Sequence, residues 1–221
     1  MIRFENVTKT FPTRAGTRVI VENLNLTIRK GRSLAMLGRN GAGKSTIMRM
    51  IAGTLDPDSG RIHRHARISW PLGFSGGFHG ALTGAQNVRF AARIYGVDTD
   101  ALLEYVEAFA DLGPFMHEPV ASYSSGMKGR LAFGVSMGVL FDFYLVDELT
   151  AVGDEAFKRK CQAVFDERLQ RANVIMISHS MPTLRNFCQS GLVVEGGRVE
   201  YFEDLEEAIE VHMENMRKNV A

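Results

Sequence analysis

The sequence predicts an α/β protein with a parallel-sheet core, an antiparallel β subdomain and an inserted α-helical subdomain. Three observations predict it. The apolar run Ser33-Leu34-Ala35-Met36-Leu37 reads as a buried strand, a glycine-rich loop follows, and Ile47-Met48-Arg49-Met50-Ile51-Ala52 reads as a helix closed by Gly53. Apolar residues alternate at Ile2, Phe4 and Val7 and recur through Val19, Val21, Leu24, Leu26 and Ile28, as in half-buried antiparallel strands. From Thr83 to about residue 137 the periodicity is helical.

Bulk composition sets the outer limits. The chain has 221 residues, 45% hydrophobic and 23% charged, with a formal net charge of +1. That is ordinary globular composition, and nothing in it implies a nucleic-acid partner. Cys161 and Cys188 are isolated and read as reduced thiols. The start, Met1-Ile2-Arg3-Phe4-Glu5, lacks the pattern of a signal peptide. The longest apolar stretch, residues 131–141, is shorter than the roughly 20 residues that cross a bilayer. A membrane role is therefore expected to come through a partner.

The first two strands are expected at 2–8 and 18–28, joined by the turn-rich Pro12-Thr13-Arg14-Ala15-Gly16. Phe11, just after the first, reads by itself as an exposed loop aromatic. The residues Gly38-Arg39-Asn40-Gly41-Ala42-Gly43-Lys44-Ser45-Thr46 fit G-x-x-x-x-G-K-[ST] at every fixed position, between a strand and a helix as that motif requires. Its glycines let backbone N–H groups approach phosphate oxygens, and the helix beginning near Lys44 adds the positive end of its dipole. Lys44 suits the β- and γ-phosphates, and the Ser45 hydroxyl suits Mg²⁺.

Beyond the turn at residues 56–60, short strands at 60–63 and 67–70 are expected to form a two-stranded edge. Its basic cluster, Arg61, His63, Arg64, His65 and Arg67, is expected to face solvent. Residues 71–80 form a glycine-rich loop. Thr83 with Gln86 makes a capping box for a helix whose apolar face is expected to be Val88, Phe90, Ala91, Ile94 and Tyr95. Asp98 caps a second helix carrying Leu102, Leu103, Val106 and Phe109. Tyr123-Ser124-Ser125-Gly126-Met127 precedes a third, and Ser124 is either its N-cap or a second anion site at a helix terminus.

The apolar strand Phe143-Tyr144-Leu145-Val146 ends in Asp147 and Glu148. Ligands of open α/β sheets bind at the carboxyl ends of strands, so this pair should converge with the glycine-rich loop. Asp147 is placed to hold Mg²⁺ and Glu148 to take a proton from attacking water. Asp154 caps a helix at 155–170, and the strand at 174–177 ends at Ser178-His179, close to the γ-phosphate if the sheet is parallel. A hairpin about Gly196-Gly197 leads into a final helix near 204–218, with Leu205, Ala208, Ile209, Met213 and Met216 on one face.

In their order along the whole chain, these segments resemble the ATP-binding subunit of an ABC transporter. The resemblance implies a P-loop NTPase (RecA-like) core in 1–82 and 138–221 and a helical subdomain in 83–137, all within one ATPase domain. It makes residues 38–46 the Walker A loop, Asp147 and Glu148 the end of Walker B, Asp154 the D-loop aspartate and His179 the switch histidine. Phe11 becomes the aromatic that stacks on adenine. Residues 123–127 occupy the place of the family's Leu-Ser-Gly-Gly-Gln signature, with Tyr123, Ser125 and Met127 as departures and with Ser124 and Gly126 retained. No glutamine stands near Phe74, where the family carries one.

Those departures, with Ser69-Trp70-Pro71 and Thr150-Ala151-Val152-Gly153-Asp154, resemble exporters of bacterial surface polysaccharides, the capsular type most of all. Exporters of O-antigen or teichoic acid are the alternative, and a soluble ABC ATPase outside transport a distant one. The resemblance implies ATP and Mg²⁺, with Lys44, Glu148 and His179 catalytic. It also implies a homodimer in which Ser124, Ser125 and Gly126 act on the other copy's ATP. A separate membrane permease would handle the polysaccharide, placing the chain at the cytoplasmic face of the bacterial inner membrane.

Overall fold

The computed structural model describes residues 1–14, 16–72, 77–148 and 154–218. The chain divides into two compact units. One comprises Met1–Pro71, Phe141–Glu148 and Ala172–Ala221, and the other Leu72–Leu140 and Leu149–Arg171. The expected α/β fold is present, with a mostly parallel sheet, an antiparallel sheet and a set of helices inserted in sequence.

In the first unit, β1 (Ile2–Thr13), β2 (Gly16–Ile28) and β4 (Ser59–Arg64) form an antiparallel sheet in the order β2-β1-β4. The hairpin is longer than its apolar alternation suggests. Pairing continues past Phe11, through Pro12 against Thr17, to Thr13 against Gly16. The second sheet runs β5 (Ile68–Pro71), β6 (Phe143–Asp147), β7 (Asn173–Ile177), β3 (Leu34–Leu37), β8 (Ser190–Glu195), β9 (Arg198–Phe202). The first five are parallel, and β9 closes the edge as the antiparallel arm of a hairpin with β8. All four residues of β3 are buried, as expected of a central parallel strand covered on both faces.

α1 (Lys44–Ala52) buries Ile47, Met48, Met50 and Ile51 in a core that also takes Ile2, Phe4 and Val7 from β1 and Leu34 and Met36 from β3. Non-directional burial of these side chains holds the two sheets to one helix.

The expected two-stranded edge at 60–70 is not formed. β4 pairs with β1, and β5 pairs with β6 in the other sheet. Each strand finds an open sheet edge, and this outweighs pairing with its sequence neighbour. Within the basic cluster, Arg64 is exposed as expected, yet its head group is tied to α1. Its guanidinium donates to the carbonyls of Met50 (2.5 Å) and Ile51 (2.9 Å), satisfying the C-terminal end of α1.

The second unit contains α2 (Gly84–Tyr95), α3 (Thr99–Ala110), a 3₁₀ turn at Gly113–His117, α4 (Ser125–Gly138) and α5 (Glu155–Leu169). Phe109 is central to its core, with ring centroids 5.8 Å from Tyr105, 5.9 Å from Phe133 and 5.5 Å from Phe157. The Thr83–Gln86 capping box is present, and Asp98 caps α3 as expected.

The apolar face expected for α2 is divided. Val88, Ala91 and Ala92 are buried, whereas Phe90 and Ile94 are 55% and 62% exposed. Small residues (Gly84, Ala85, Ala91 and Ala92) line the packed side and leave the large ones outward. In the first unit, α6 (Met181–Phe187) follows β7, and α7 (Leu205–Lys218) ends the described chain. α7 buries Leu205, Ala208 and Ile209 but exposes Met213 and Met216, so only its N-terminal half packs on the sheet. Among the described residues, no helix is long and apolar enough to cross a membrane.

Candidate nucleotide site

The carboxyl ends of β3, β6 and β7 meet at a cavity of about 540 Å³ in the first unit. Phe11, Thr13, Arg18 and Ile20 of the β1–β2 hairpin line one side. Asn40, Gly41, Gly43, Lys44, Ser45 and Thr46 supply the loop and helix start, and Asp147, Glu148, Ile177 and His179 complete the wall. Strand β7 lies between β3 and β6 and is parallel to both, so three strand ends present their side chains to one place.

The loop is built from tight backbone contacts. Gly38 has φ +150°, and a Cβ there would run into the Val194 carbonyl. Gly43 has φ +110°, and a Cβ there would lie 2.6 Å from Ile20 Cγ2. Only glycine fits either position without strain. The Ala42 amide donates to the Arg39 carbonyl at 3.0 Å, closing the turn. Among the described residues, no side chain caps the N-terminus of α1, and its first turn holds no acidic residue. Its leading amides and the positive end of its dipole are therefore available to an anion.

Lys44 is 9% exposed. Its Nζ donates to the carbonyls of Gly38 (2.6 Å) and Arg39 (2.9 Å), so the lysine spans the base of the loop. Burial lowers its pKa, and the carboxylates of Asp147 and Glu148 oppose that shift. The ammonium is thus held inside a site that also contains two carboxylates.

Glu148 has φ +55°, a left-handed conformation uncommon for a side chain of this size. Its amide donates to the Ile177 carbonyl at 2.9 Å, tying it to the end of β7. Its Oε1 lies 3.2 Å from Nε2 of His179. Phe11 is 37% exposed, with the Lys9 ammonium 5.3 Å from its ring centroid. Lys9 is in turn fixed to Asp58 at 2.6 Å. The ring is therefore held in the cavity wall, within the unbroken pairing of Thr10–Thr13 with β2.

Of the residues the sequence points to, Phe11, Asn40, Gly41, Gly43, Lys44, Ser45, Thr46, Asp147, Glu148 and His179 line this one cavity. Gly38, Arg39 and Ala42 shape the loop behind it. Thr13, Arg18, Ile20 and Ile177 also line it without having been expected. The signal for the first three was the pairing of Phe11 with Arg18 across an extended hairpin.

Ser124, Ser125, Gly126 and Asp154 lie in the second unit. Ser124 is the N-cap of α4, and its Oγ accepts from the Met127 amide at 3.2 Å. Among the described residues, a Cβ at Gly126 would meet only Ser124 Oγ, at 3.8 Å. Tyr123 is buried, and its hydroxyl donates to the Phe115 carbonyl. Asp154 caps α5 by accepting from the Phe157 amide at 2.9 Å, and its other oxygen pairs with Arg130 at 2.9 Å. These contacts, the Phe157 amide first, lower its pKa. Residues 151–153 of the expected D-loop and Phe74 lie outside the described residues.

Comparison with known proteins agrees with this arrangement. The family described as ABC transporter matches residues 21–151. The chain is 46% identical over 213 residues to the polysialic acid transport ATP-binding protein KpsT of Escherichia coli, covering 95% of each chain. It is 45% identical over 212 residues to the capsule polysaccharide export ATP-binding protein CtrD of Neisseria meningitidis, covering 96% of this chain and 98% of that one. Among solved structures, its fold matches the dimeric ATP-binding cassette MJ0796 bound to ADP and Pi. The TM-score is 0.73 at 20% identity, over 93% of this chain and 99% of that one. A phosphate loop, a paired carboxylate and histidine at neighbouring strand ends and these relatives lead to one assignment: the chain belongs to the ABC transporter family, among its ATP-binding proteins.

Proposed function

We propose that this chain powers export of a capsular polysaccharide, as the ATP-hydrolysing subunit of an exporter whose membrane permease is a separate protein. The observation that carries the ATPase half is the convergence of Lys44, Ser45, Asp147, Glu148 and His179 on one cavity. The polymer class rests on relatives whose names refer to polysialic acid transport and capsule polysaccharide export.

In this reading adenine stacks on Phe11, and residues 38–46 wrap the phosphates with Lys44 on the β- and γ-groups. Ser45 and Asp147 line the same cavity and offer the hard oxygen donors that Mg²⁺ takes. Bound there, the ion would neutralise charge on the phosphates. Glu148 accepts the proton of the attacking water, and His179 steadies the γ-phosphate. The chain acts as one ATPase domain, with 1–82 and 138–221 as nucleotide-binding core and 83–137 as helical subdomain.

Two copies pack head to tail, so that Ser124, Ser125 and Gly126 of one face the ATP of the other, with Asp154 beside them. The open space at Gly126 supports an approach from outside the chain. The pair works at the cytoplasmic face of the inner membrane, held there by the permease, which handles the polymer. Nucleic acid has no part in the cycle.

Deleting the gene tests the export half. Capsular polymer should accumulate inside the cell. Wild-type protein should restore its appearance outside, and a Lys44→Ala variant should not. If every surface polymer still reached the outside, the export reading would fail.

A further inference from the structure

Arg18 stands opposite Phe11 in the β1–β2 ladder, so both side chains leave the same face of the hairpin. Its guanidinium donates from Nη2 to the Gly41 carbonyl, reaching from β2 to the tip of the phosphate loop. It lines the cavity that holds Phe11, Lys44 and Ser45.

Gly41 has φ +81°, and the amide that follows it, Ala42, donates to the Arg39 carbonyl at 3.0 Å. One planar peptide is thus held at both ends, its oxygen by Arg18 and its N–H by the turn. A carbonyl oxygen free to swing into a phosphate cradle would repel phosphate oxygens, and the bond to Arg18 commits this one elsewhere. A guanidinium carries five donors, so the bond to Gly41 leaves others for a ligand.

We propose that Arg18 is a nucleotide-binding residue of this site, fixing the Gly41 turn and setting a cation between the Phe11 ring and the loop, where the α-phosphate end of the nucleotide lies. This rests on the ATP reading above. It predicts a contact common to ATP and ADP, unlike one made to the γ-phosphate.

The test measures equilibrium binding of ATP and ADP, and steady-state hydrolysis, for the full chain and for Arg18→Gln and Arg18→Lys. Arg18→Gln should weaken ATP and ADP about tenfold and equally, and raise KM for ATP by a similar factor. Arg18→Lys should fall between, because one ammonium cannot serve the carbonyl and the phosphate in a fork. Thermal unfolding without nucleotide should change only slightly, because the bond to Gly41 is exposed to solvent. ATP and ADP affinities within twofold of wild type would overturn the assignment. So would an affinity loss matched by a lower unfolding temperature, which would mark Arg18 as structural only. A wild-type chain that bound no ATP would sink the ATP reading itself, a result distinct from unaltered variants of a wild type that binds.

Discussion

Nε2 of His179 lies 3.2 Å from Oε1 of Glu148, joining the ends of two adjacent parallel strands, β7 and β6. Both side chains are more than half exposed to the cavity, and the backbone of Glu148 is in a left-handed conformation. A strained backbone at a reactive carboxylate is a common feature of functional sites, where strain of about 1–3 kcal/mol is held by the surrounding structure. Here the hydrogen bond from the Glu148 amide to the Ile177 carbonyl holds it.

Glu148→Gln should lower turnover by about 10²–10⁴, the usual contribution of a general base. ATP affinity should stay within about twofold, and the variant should form a stable dimer in ATP by light scattering. Unchanged hydrolysis would remove Glu148 from its role. Glu148→Asn should also be inactive, yet should unfold no earlier than wild type, because asparagine tolerates left-handed backbone.

Gly38→Ala should destabilise the fold by about 2–4 kcal/mol, combining an unfavourable φ with a Cβ forced against the Val194 carbonyl. Chemical denaturation would read the loss. A variant as stable as wild type would mean that the loop and the end of β8 can move apart freely.

Histidine burial makes stability pH-dependent. Burial lowers the pKa of His212, the Lys44 charge adds to that, and Glu195 opposes it. Nδ1 of His212 and Oε2 of Glu195 are both buried without a hydrogen-bond partner among the described residues. The folded chain therefore binds fewer protons here than the unfolded chain. This contribution is whole above the ordinary histidine value of about 6.5 and is lost as pH falls from there through the depressed native value. Urea unfolding of His212→Gln should show a shallower loss over that range than wild type.

A second window lies in acid. The Lys9 ammonium, then the amide and hydroxyl of Thr10, hold Asp58 down to about 2 from 3.8. Its contribution is present above 3.8 and is lost as pH falls towards 2. Asp58→Asn should flatten stability in that interval while leaving the neutral range nearly parallel to wild type.

Tyr123 and Gly84 should be energetically coupled. A Cβ at Gly84 would overlap the Tyr123 hydroxyl. Gly84→Ala should be markedly destabilising in wild type and much less so in Tyr123→Phe. A double-mutant cycle by thermal unfolding should return a coupling of about 1 kcal/mol or more. Additive losses would show that the tyrosine yields easily.

What could be read in the sequence follows from how local each signal is. Residues 33–53 were legible because strand, loop and helix are contiguous and the loop's glycines answer a backbone requirement. The helix caps at Thr83, Asp98 and Asp154 were legible for the same reason. Arg18 was not, because its place depends on the register of a hairpin that continues through Pro12. Phe90 and Ile94 lay on an apolar stripe, but periodicity does not say which part of a stripe faces inward. There the small side chains of α2 took the packed side. The partners of β4 and β5 depended on sheet edges far away in sequence.

The position of β3 at the heart of its sheet has a consequence for biosynthesis. Its two neighbours are β7 and β8, both late in the chain. β3 ends at Leu37 and β7 begins at Asn173. At translation speeds of about 5–20 residues per second, roughly 7–27 s pass between synthesis of the end of β3 and the start of β7. During that time the wholly apolar Leu34–Leu37 segment has no strand to pair with. A nascent chain halted before Asn173 would hold the phosphate loop and the Asp147–Glu148 pair without the β7 side of the cavity wall. The same order of synthesis makes the unfinished chain a natural client for a chaperone that binds short apolar strands.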